Sequence, residues 1–308
     1  MAEDARSKPG IFFEHCYEGI WYPNIVLDSS IEALRSFEVR SDDVWVVTFP
    51  KSGTHWMIEI VSLILNDGYP GKVNRTLHSS AAEMINMDQT FPRTLDELDT
   101  VKMDMTPFLK TIEEAPSPRV ILTHLRLNRL PKDLMKKTKA VYLVRNPKDV
   151  MTSWYNFLSH MDFMPMTWEE NFQQFLAGEM EWGSWPDHVK DFWDIREEEN
   201  LLFVHYEDIL KDPTLGIAAI AEHIGRPLSK EALQRVVESS TMSEMKATYR
   251  KMAESGLFYL TKASGLLPFL NKGQVAQWKS RFSVAENEIF DEWYRREMAG
   301  TNIPISFE

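Results

Sequence analysis

The stretch Val44 to Trp56 reads VWVVTFPKSGTHW, and its two halves demand different secondary structures. VWVVTF is a short run of β-branched and aromatic residues without polar alternation, the pattern of a strand buried on both faces. Beyond the PKSG turn, Met57, Ile60, Val61 and Ile64 recur at the spacing of one helix face, which predicts a helix starting near Gly53 or Thr54. At the junction Gly53 allows a sharp turn, the first free amides of the helix point into it, and Lys51 adds a cation beside them. This is a cradle for an anion. The same pattern also suits an ordinary strand-to-helix turn with a solvent-facing lysine.

Three further runs read as strands: RVILTH from Arg119, AVYLVR from Ala140 and LLFVHY from Leu201. Helical patterns separate them, so the expected class is α/β, a central parallel sheet with helices on both faces. After the third of the four strands, Asn146 can cap and Pro147 can open a helix running through Asp149 and Ser153 towards Phe157. Ligands of open parallel sheets bind beyond the carboxyl ends of the strands, so residues at these junctions are the first candidates for chemistry. No internal repeat or long linker divides the chain, which predicts a single domain over 1–308. Residues 1–40 form a lead-in segment. The stretch 68–118, with Pro70, Pro92, Pro107, Pro116 and Pro118, is irregular and suited to pocket walls.

Lys and Arg number 34 against 46 Asp and Glu, a net charge of −12 that argues against nucleic acid or an anionic membrane as partner. The single cysteine, Cys16, rules out an intrachain disulfide and a cysteine-based zinc site. The N-terminus mixes charged and polar residues and no long apolar run occurs, so a cytoplasmic location is expected and the sequon at Asn74 is set aside.

The cradle differs from the GxxxxGK[ST] loop, whose lysine follows its second glycine and whose hydroxyl holds magnesium. Here Lys51 precedes Gly53, and no acidic strand end stands ready for a metal, which points to a phosphate-bearing ligand handled without one. His124 ends the strand RVILTH. An imidazole titrates near neutrality and can serve as general base, although a strand-end histidine also suits a structural hydrogen bond. His188 shares a helical face with Trp185 and Phe192, which suits packing. Trp56 and Tyr206, at a helix start and a strand end, read as core aromatics, and the runs Glu197 to Glu199 and Lys136, Lys137 and Lys139 as solvated residues.

PKSGTHW closely resembles the PKSGTTW loop of the cytosolic sulfotransferases. LVRNPKDVMTSWYNF, GSWPDHVKDFW, HYEDILKDP and KGQVAQWKSRFSVAENE also match that family in order and spacing, over about Val44 to Met298. The resemblance implies a P-loop-nucleotide-kinase-like fold. It also implies transfer of a sulfuryl group from 3'-phosphoadenosine 5'-phosphosulfate, without a metal, to a hydroxyl or amine of a small amphipathic acceptor such as a phenol, steroid or other alcohol. By the same resemblance Lys51, His124 and Ser153 are catalytic. Lys51, Ser52, Gly53, Thr54 and His55 would hold the 5'-phosphate; Arg145, Ser153, Leu270, Asn271, Lys272 and Gly273 would hold the 3'-phosphate. Trp56, Tyr206, Ser240, Thr241 and Met242 would lie at the adenine.

Several positions depart from the pattern. His55 replaces a threonine, Leu122 a lysine two residues before the base, Arg126 a proline after it, Asn271 an arginine and Met242 a phenylalanine. Losing one charge-assisted hydrogen bond at Asn271 costs on the order of 1.5–3 kcal/mol if nothing replaces it. A nucleotide-binding homologue of weak activity, or a magnesium-dependent phosphotransferase of related architecture, are therefore the rival readings. Lys279, Ser283, Val284 and Glu288 reproduce the family's dimer motif with serine for threonine, so the resemblance implies a homodimer.

Overall fold

The computed structural model describes residues 14–86, 106–159, 166–254, 270 and 273–308. Two strands, β1 (Glu14–Tyr17) and β2 (Ile20–Pro23), form an antiparallel hairpin. Four more, β3 (Val44–Thr48), β4 (Val120–Thr123), β5 (Lys139–Val144) and β6 (Leu201–His205), form one parallel sheet in the order β4-β3-β5-β6. These are the four strands expected from the apolar runs.

Their lack of polar alternation has a direct cause, because both faces are covered. Trp45, Val47, Ile121, Ala140, Tyr142 and Val144 point into one core, and Val44, Val46, Val120, Leu122, Val141 and Leu143 into the other. The second core is closed by Met57, Ile60, Val61 and Ile64 of the helix Thr54–Leu65, with Ile217 and Ile220 of Pro213–His223. On the first, Met151 and Trp154 of Pro147–Ser159, Val189 and Phe192 of Trp185–Trp193, and Phe290 and Trp293 of Val284–Glu297 make a layer rich in rings. Each large side chain so buried is worth about 1.5–3 kcal/mol against exposure.

The helix predicted near Gly53 starts at Thr54. The helix after β5 starts at Pro147, and the side chain of Asn146 accepts the backbone N–H of Lys148 at 2.9 Å, as a cap should. Within the expected lead-in, the described residues carry the hairpin and the helix Asp28–Arg35; residues 1–13 lie outside the described residues. Likewise, the described parts of 68–118 carry the short turns Pro70–Lys72 and Thr76–His78 and the helix Phe108–Glu114; residues 87–105 of that segment lie outside the described residues. Pro and polar residues masked the periodicity of these short pieces.

Candidate active site

The four parallel strands end side by side, and the next residue of three of them is a candidate: His124 after β4, Arg145 after β5 and Tyr206 after β6. Strand β3 ends at Thr48 and runs into the loop holding Lys51. Parallel strands in register deliver these side chains to one edge although they lie far apart in the chain.

The loop is built to be tight. Lys51 has φ +68° and Gly53 φ +104°, both left-handed. A Cβ on Gly53 would lie 2.7 Å from the Tyr206 ring, so glycine is required for space as well as for φ. The Ser52 side chain is fully buried, and its hydroxyl has no hydrogen-bond partner among the described residues. A buried orphan donor in such a turn is costly unless an anion accepts from it. The Lys51 ammonium stands 4.2 Å above the Phe157 ring, and burial, reinforced by the Arg145 charge, lowers its pKa to about 7.

Arg145 is placed from several sides. One terminal nitrogen donates to the Lys51 carbonyl at 3.0 Å and the other to the Gln274 carbonyl at 3.3 Å; the guanidinium lies 4.6 Å over Tyr206. Its buried Nε finds no partner among the described residues, a second donor facing an unmet demand. Asp149, in the first turn of the following helix, accepts from the backbone of Ala276 at 2.8 Å and Trp278 at 3.0 Å, which brings the C-terminal segment to this strand end. Glu207 accepts the Asn146 N–H at 2.9 Å, and burial raises its carboxyl to about 7.

His124 is 9% exposed. Its Nδ1 lies 2.8 Å from the Thr48 carbonyl, which can only accept, so the proton sits on Nδ1 and Nε2 keeps its lone pair. Burial lowers the pKa to about 4, with the Thr48 hydrogen bond opposing and Lys51 adding to the fall, so the ring is neutral at pH 7. The Thr48 hydroxyl lies 3.1 Å from the same Nδ1 and 2.8 Å from the Thr54 hydroxyl. Because Nδ1 carries its proton, the Thr48 O–H is free to donate to Thr54, leaving the Thr54 proton for an anion.

Three residues around this base were invisible in the sequence pattern. Glu83, fully buried, accepts from the His124 backbone N–H at 2.9 Å, the Thr123 hydroxyl at 2.9 Å and the Trp182 indole at 3.0 Å. Trp182, at φ +63°, sets its ring edge-to-face with the His124 ring at 5.3 Å. Thr48 was legible only as strand. His188 packs against Phe192 of its own helix, as the shared face suggested, and against Tyr142 besides; its Nε2 donates to the His124 carbonyl at 3.0 Å while its Nδ1 accepts from the Tyr142 hydroxyl at 2.8 Å. No local spacing marks Glu83, because an acidic residue in an aperiodic stretch carries no period to read.

Trp56 and Tyr206 are buried and meet edge-to-face at 5.2 Å; the Trp56 indole N–H donates to the Ser240 carbonyl at 2.9 Å. That bond carries the turn of Ser240 and Thr241 and the start of the helix Met242–Glu254 to the loop. Gly273, at φ +63°, packs so closely on Met242 that a Cβ would lie 2.8 Å from its methyl. Leu270 is a core residue; Asn271 and Lys272 lie outside the described residues. Ser153 is half-buried on the helix Pro147–Ser159. Of the departing positions, Leu122 packs in the core, and Arg126 is held bidentate by Asp191 at 2.8 and 3.0 Å.

A family model described as a sulfotransferase domain matches residues 41–302. The chain is 35% identical over 279 residues to Sulfotransferase 1B1 of Mus musculus, covering 88% of each chain. It is 34% identical over 281 residues to Sulfotransferase 1C2 of Homo sapiens, covering 89% of each. Among solved structures, mouse sulfotransferase SULT7A1 complexed with PAP superposes with a TM-score of 0.73 at 27% identity, covering 94% of this chain and 95% of that one.

Proposed function

The chain belongs to the sulfotransferase family, and we propose that it transfers a sulfuryl group from 3'-phosphoadenosine 5'-phosphosulfate to a hydroxyl or amine of a small amphipathic acceptor. The observation that carries this reading is the pairing of two buried donors unmet among the described residues, Ser52 Oγ and Arg145 Nε, with a neutral imidazole at the same end of the sheet. When bound, the nucleotide supplies the activated sulfuryl group. Lys51, Ser52, Gly53, Thr54 and His55 hold its 5'-phosphate, Arg145 and Ser153 its 3'-phosphate together with Asn271, Lys272 and Gly273, and Trp56, Tyr206, Ser240, Thr241 and Met242 flank its adenine.

The Nε2 of His124 accepts the acceptor's proton, a contribution of about 10²–10⁴ in rate. The Lys51 ammonium neutralises charge where the bisphosphate leaves, so the reading assigns that task to a side chain instead of a metal. We place the protein in the cytoplasm. We also propose a homodimer through Lys279, Ser283, Val284 and Glu288: Val284, the first residue of the helix Val284–Glu297, is an apolar side chain 77% exposed. Ser283 itself caps that helix, accepting from Glu286 N–H at 3.2 Å.

Purified protein should transfer labelled sulfate to members of a phenol and alcohol panel with a chelator present. His124→Ala should lose turnover while still binding adenosine 3',5'-bisphosphate in calorimetry. A variant with wild-type rates would remove His124 from the mechanism. Size exclusion of Val284→Glu tests the dimer, which the reading expects to dissociate.

A further inference from the structure

Lys148 lies in the first turn of the helix Pro147–Ser159, close along the chain to Arg145, yet it is only 3% exposed. A buried ammonium is costly unless it is paired and surrounded by suitable groups. Its Nζ donates to Asn287 Oδ1 at 2.6 Å and to the Asp291 carboxylate, both on the helix Val284–Glu297. Rings close in from other sides: Nζ stands 4.4 Å from the ring centroid of Trp278, 5.4 Å from that of Phe290 and 5.0 Å from that of Phe307. Phe307 is half-buried. Its ring meets Tyr294 edge-to-face at 5.1 Å, and its carbonyl accepts the Trp278 indole N–H at 3.0 Å.

The next residue, Asp149, grips the same segment through the backbone N–H groups of Ala276 and Trp278. Between them and Gly273 the chain is tightly bent, with Ala276 at φ +56° and Gly273 at φ +63°. A non-glycine residue at positive φ persists only where its surroundings fix it. Closer to the strand ends, the Gln274 carbonyl accepts from Arg145. The segment Gly273–Trp278 is thus fastened twice, to Arg145 at one end and to the box around Lys148 at the other.

We propose that Phe307 and Lys148 form a latch that positions the nucleotide-binding segment: the ring closes on the ammonium, holds Trp278 in place and so keeps Gln274 on Arg145. Both are positioning residues that act through the segment. The inference rests on the sulfuryl-transfer reading above and deepens it, tying the grip on the nucleotide to the C-terminal tail. A cation over a ring is held more firmly in a desolvated site than at the surface. The apparent affinity of a ligand falls with the fraction of molecules whose site is assembled, so a loosened latch weakens the nucleotide. The acceptor side, built around His124, should not respond.

The test measures affinity for adenosine 3',5'-bisphosphate by calorimetry in wild type, Phe307→Ala, Phe307→Tyr, Lys148→Met and the double variant Phe307→Ala with Lys148→Met. Acceptor KM is read beside it, at saturating 3'-phosphoadenosine 5'-phosphosulfate. Phe307→Ala should weaken the bisphosphate about fivefold or more. Its acceptor KM should stay within about twofold of wild type, a split that general loosening of the fold would not give. Phe307→Tyr keeps the ring face and should restore wild-type affinity. Lys148→Met keeps the stem and leaves Asp291, 45% exposed, in reach of water, so the fold is spared. It should weaken the bisphosphate as Phe307→Ala does, and the double variant should lose less than about twofold more, because the ring then has no ammonium to hold. Unchanged bisphosphate affinity in Phe307→Ala, single losses that multiply in the double variant, or an equal rise in acceptor KM would overturn the latch. A wild type that binds no bisphosphate ends the sulfuryl-transfer reading as well. A wild type that binds it and transfers sulfate, with Phe307→Ala binding as tightly, ends only the latch.

Discussion

The carbonyl of Thr48 accepts a 2.8 Å hydrogen bond from Nδ1 of His124, so the last residue of one strand sets the tautomer of an imidazole carried just beyond its neighbour. The relationship depends on parallel register: Val47 pairs with Thr123, which leaves the residues that follow them side by side. The loop that starts beyond Thr48 and the base beyond Thr123 are thus held by the same strand pair, and a movement of either is felt by the other.

The pH dependence of the two half-sites should differ in sign. His124 titrates at about 4 in the free protein, so its basic form persists through neutrality and acceptor turnover should fall only as pH drops towards that value. Lys51, depressed to about 7 by burial, must be protonated to hold an anion. Affinity for adenosine 3',5'-bisphosphate should be flat below about pH 6 and weaken by up to about tenfold per unit above 7, as calorimetry across this range will show. An affinity that rises with pH would contradict the assignment.

Buried histidines should make the fold acid-sensitive. His55 and His188 are lowered to about 3 and His124 to about 4, in each case chiefly by burial, while all three recover ordinary values near 6.5 on unfolding. At these three groups the unfolded chain binds more protons than the folded one below about 6.5. Their destabilising contribution is therefore absent well above that pH and grows progressively as pH falls towards 4. Thermal melts between about pH 7.5 and 4.5 should show a steady decline in Tm.

Glu83 is expected to support the base through geometry. Glu83→Ala leaves the His124 N–H, the Thr123 hydroxyl and the Trp182 indole without their acceptor, at a cost of about 1–3 kcal/mol for each group left unmet. A large fall in Tm should accompany loss of turnover. Glu83→Gln keeps one accepting oxygen in the same volume, and should recover most of the stability with a reduced kcat. Equal Tm values for Ala and wild type would refute this role.

Gly53→Ala should be among the most damaging single-methyl changes in the chain. The new Cβ meets the Tyr206 ring at 2.7 Å and the backbone sits at φ +104°. Strain of about 1–3 kcal/mol is expected from the dihedral alone, and moving Tyr206 disturbs Arg145 above it. Nucleotide affinity should drop more than tenfold, in a protein that still melts cooperatively.

The parts of the site written in short-range pattern were the ones legible beforehand. Lys51, Ser52, Gly53 and Thr54 lie in one turn between a strand and a helix, and Arg145 and His124 each follow an apolar run, so period and position marked all of them. Their convergence also followed, since parallel strands align their carboxyl ends. The hairpin Glu14–Pro23 was hidden because its strands are short and only partly buried, which weakens alternation. Trp56 and Tyr206 could be read as core aromatics; their burial agrees, and the same packing ties Ser240 and Arg145 to the loop.

By itself the sequence determined the four buried strands, the turn between β3 and its helix, and the family the chain resembles, because each is encoded in residues adjacent along the chain. Only the tertiary structure decided that Glu83 and Trp182 would brace His124, that Gly273 would close on Met242, and that Tyr249 and His78 would stand behind His55. These contacts join positions from about 30 to nearly 200 residues apart. Their energies come from burial and hydrogen bonding between surfaces that meet only once the sheet has formed, so no local spacing could announce them.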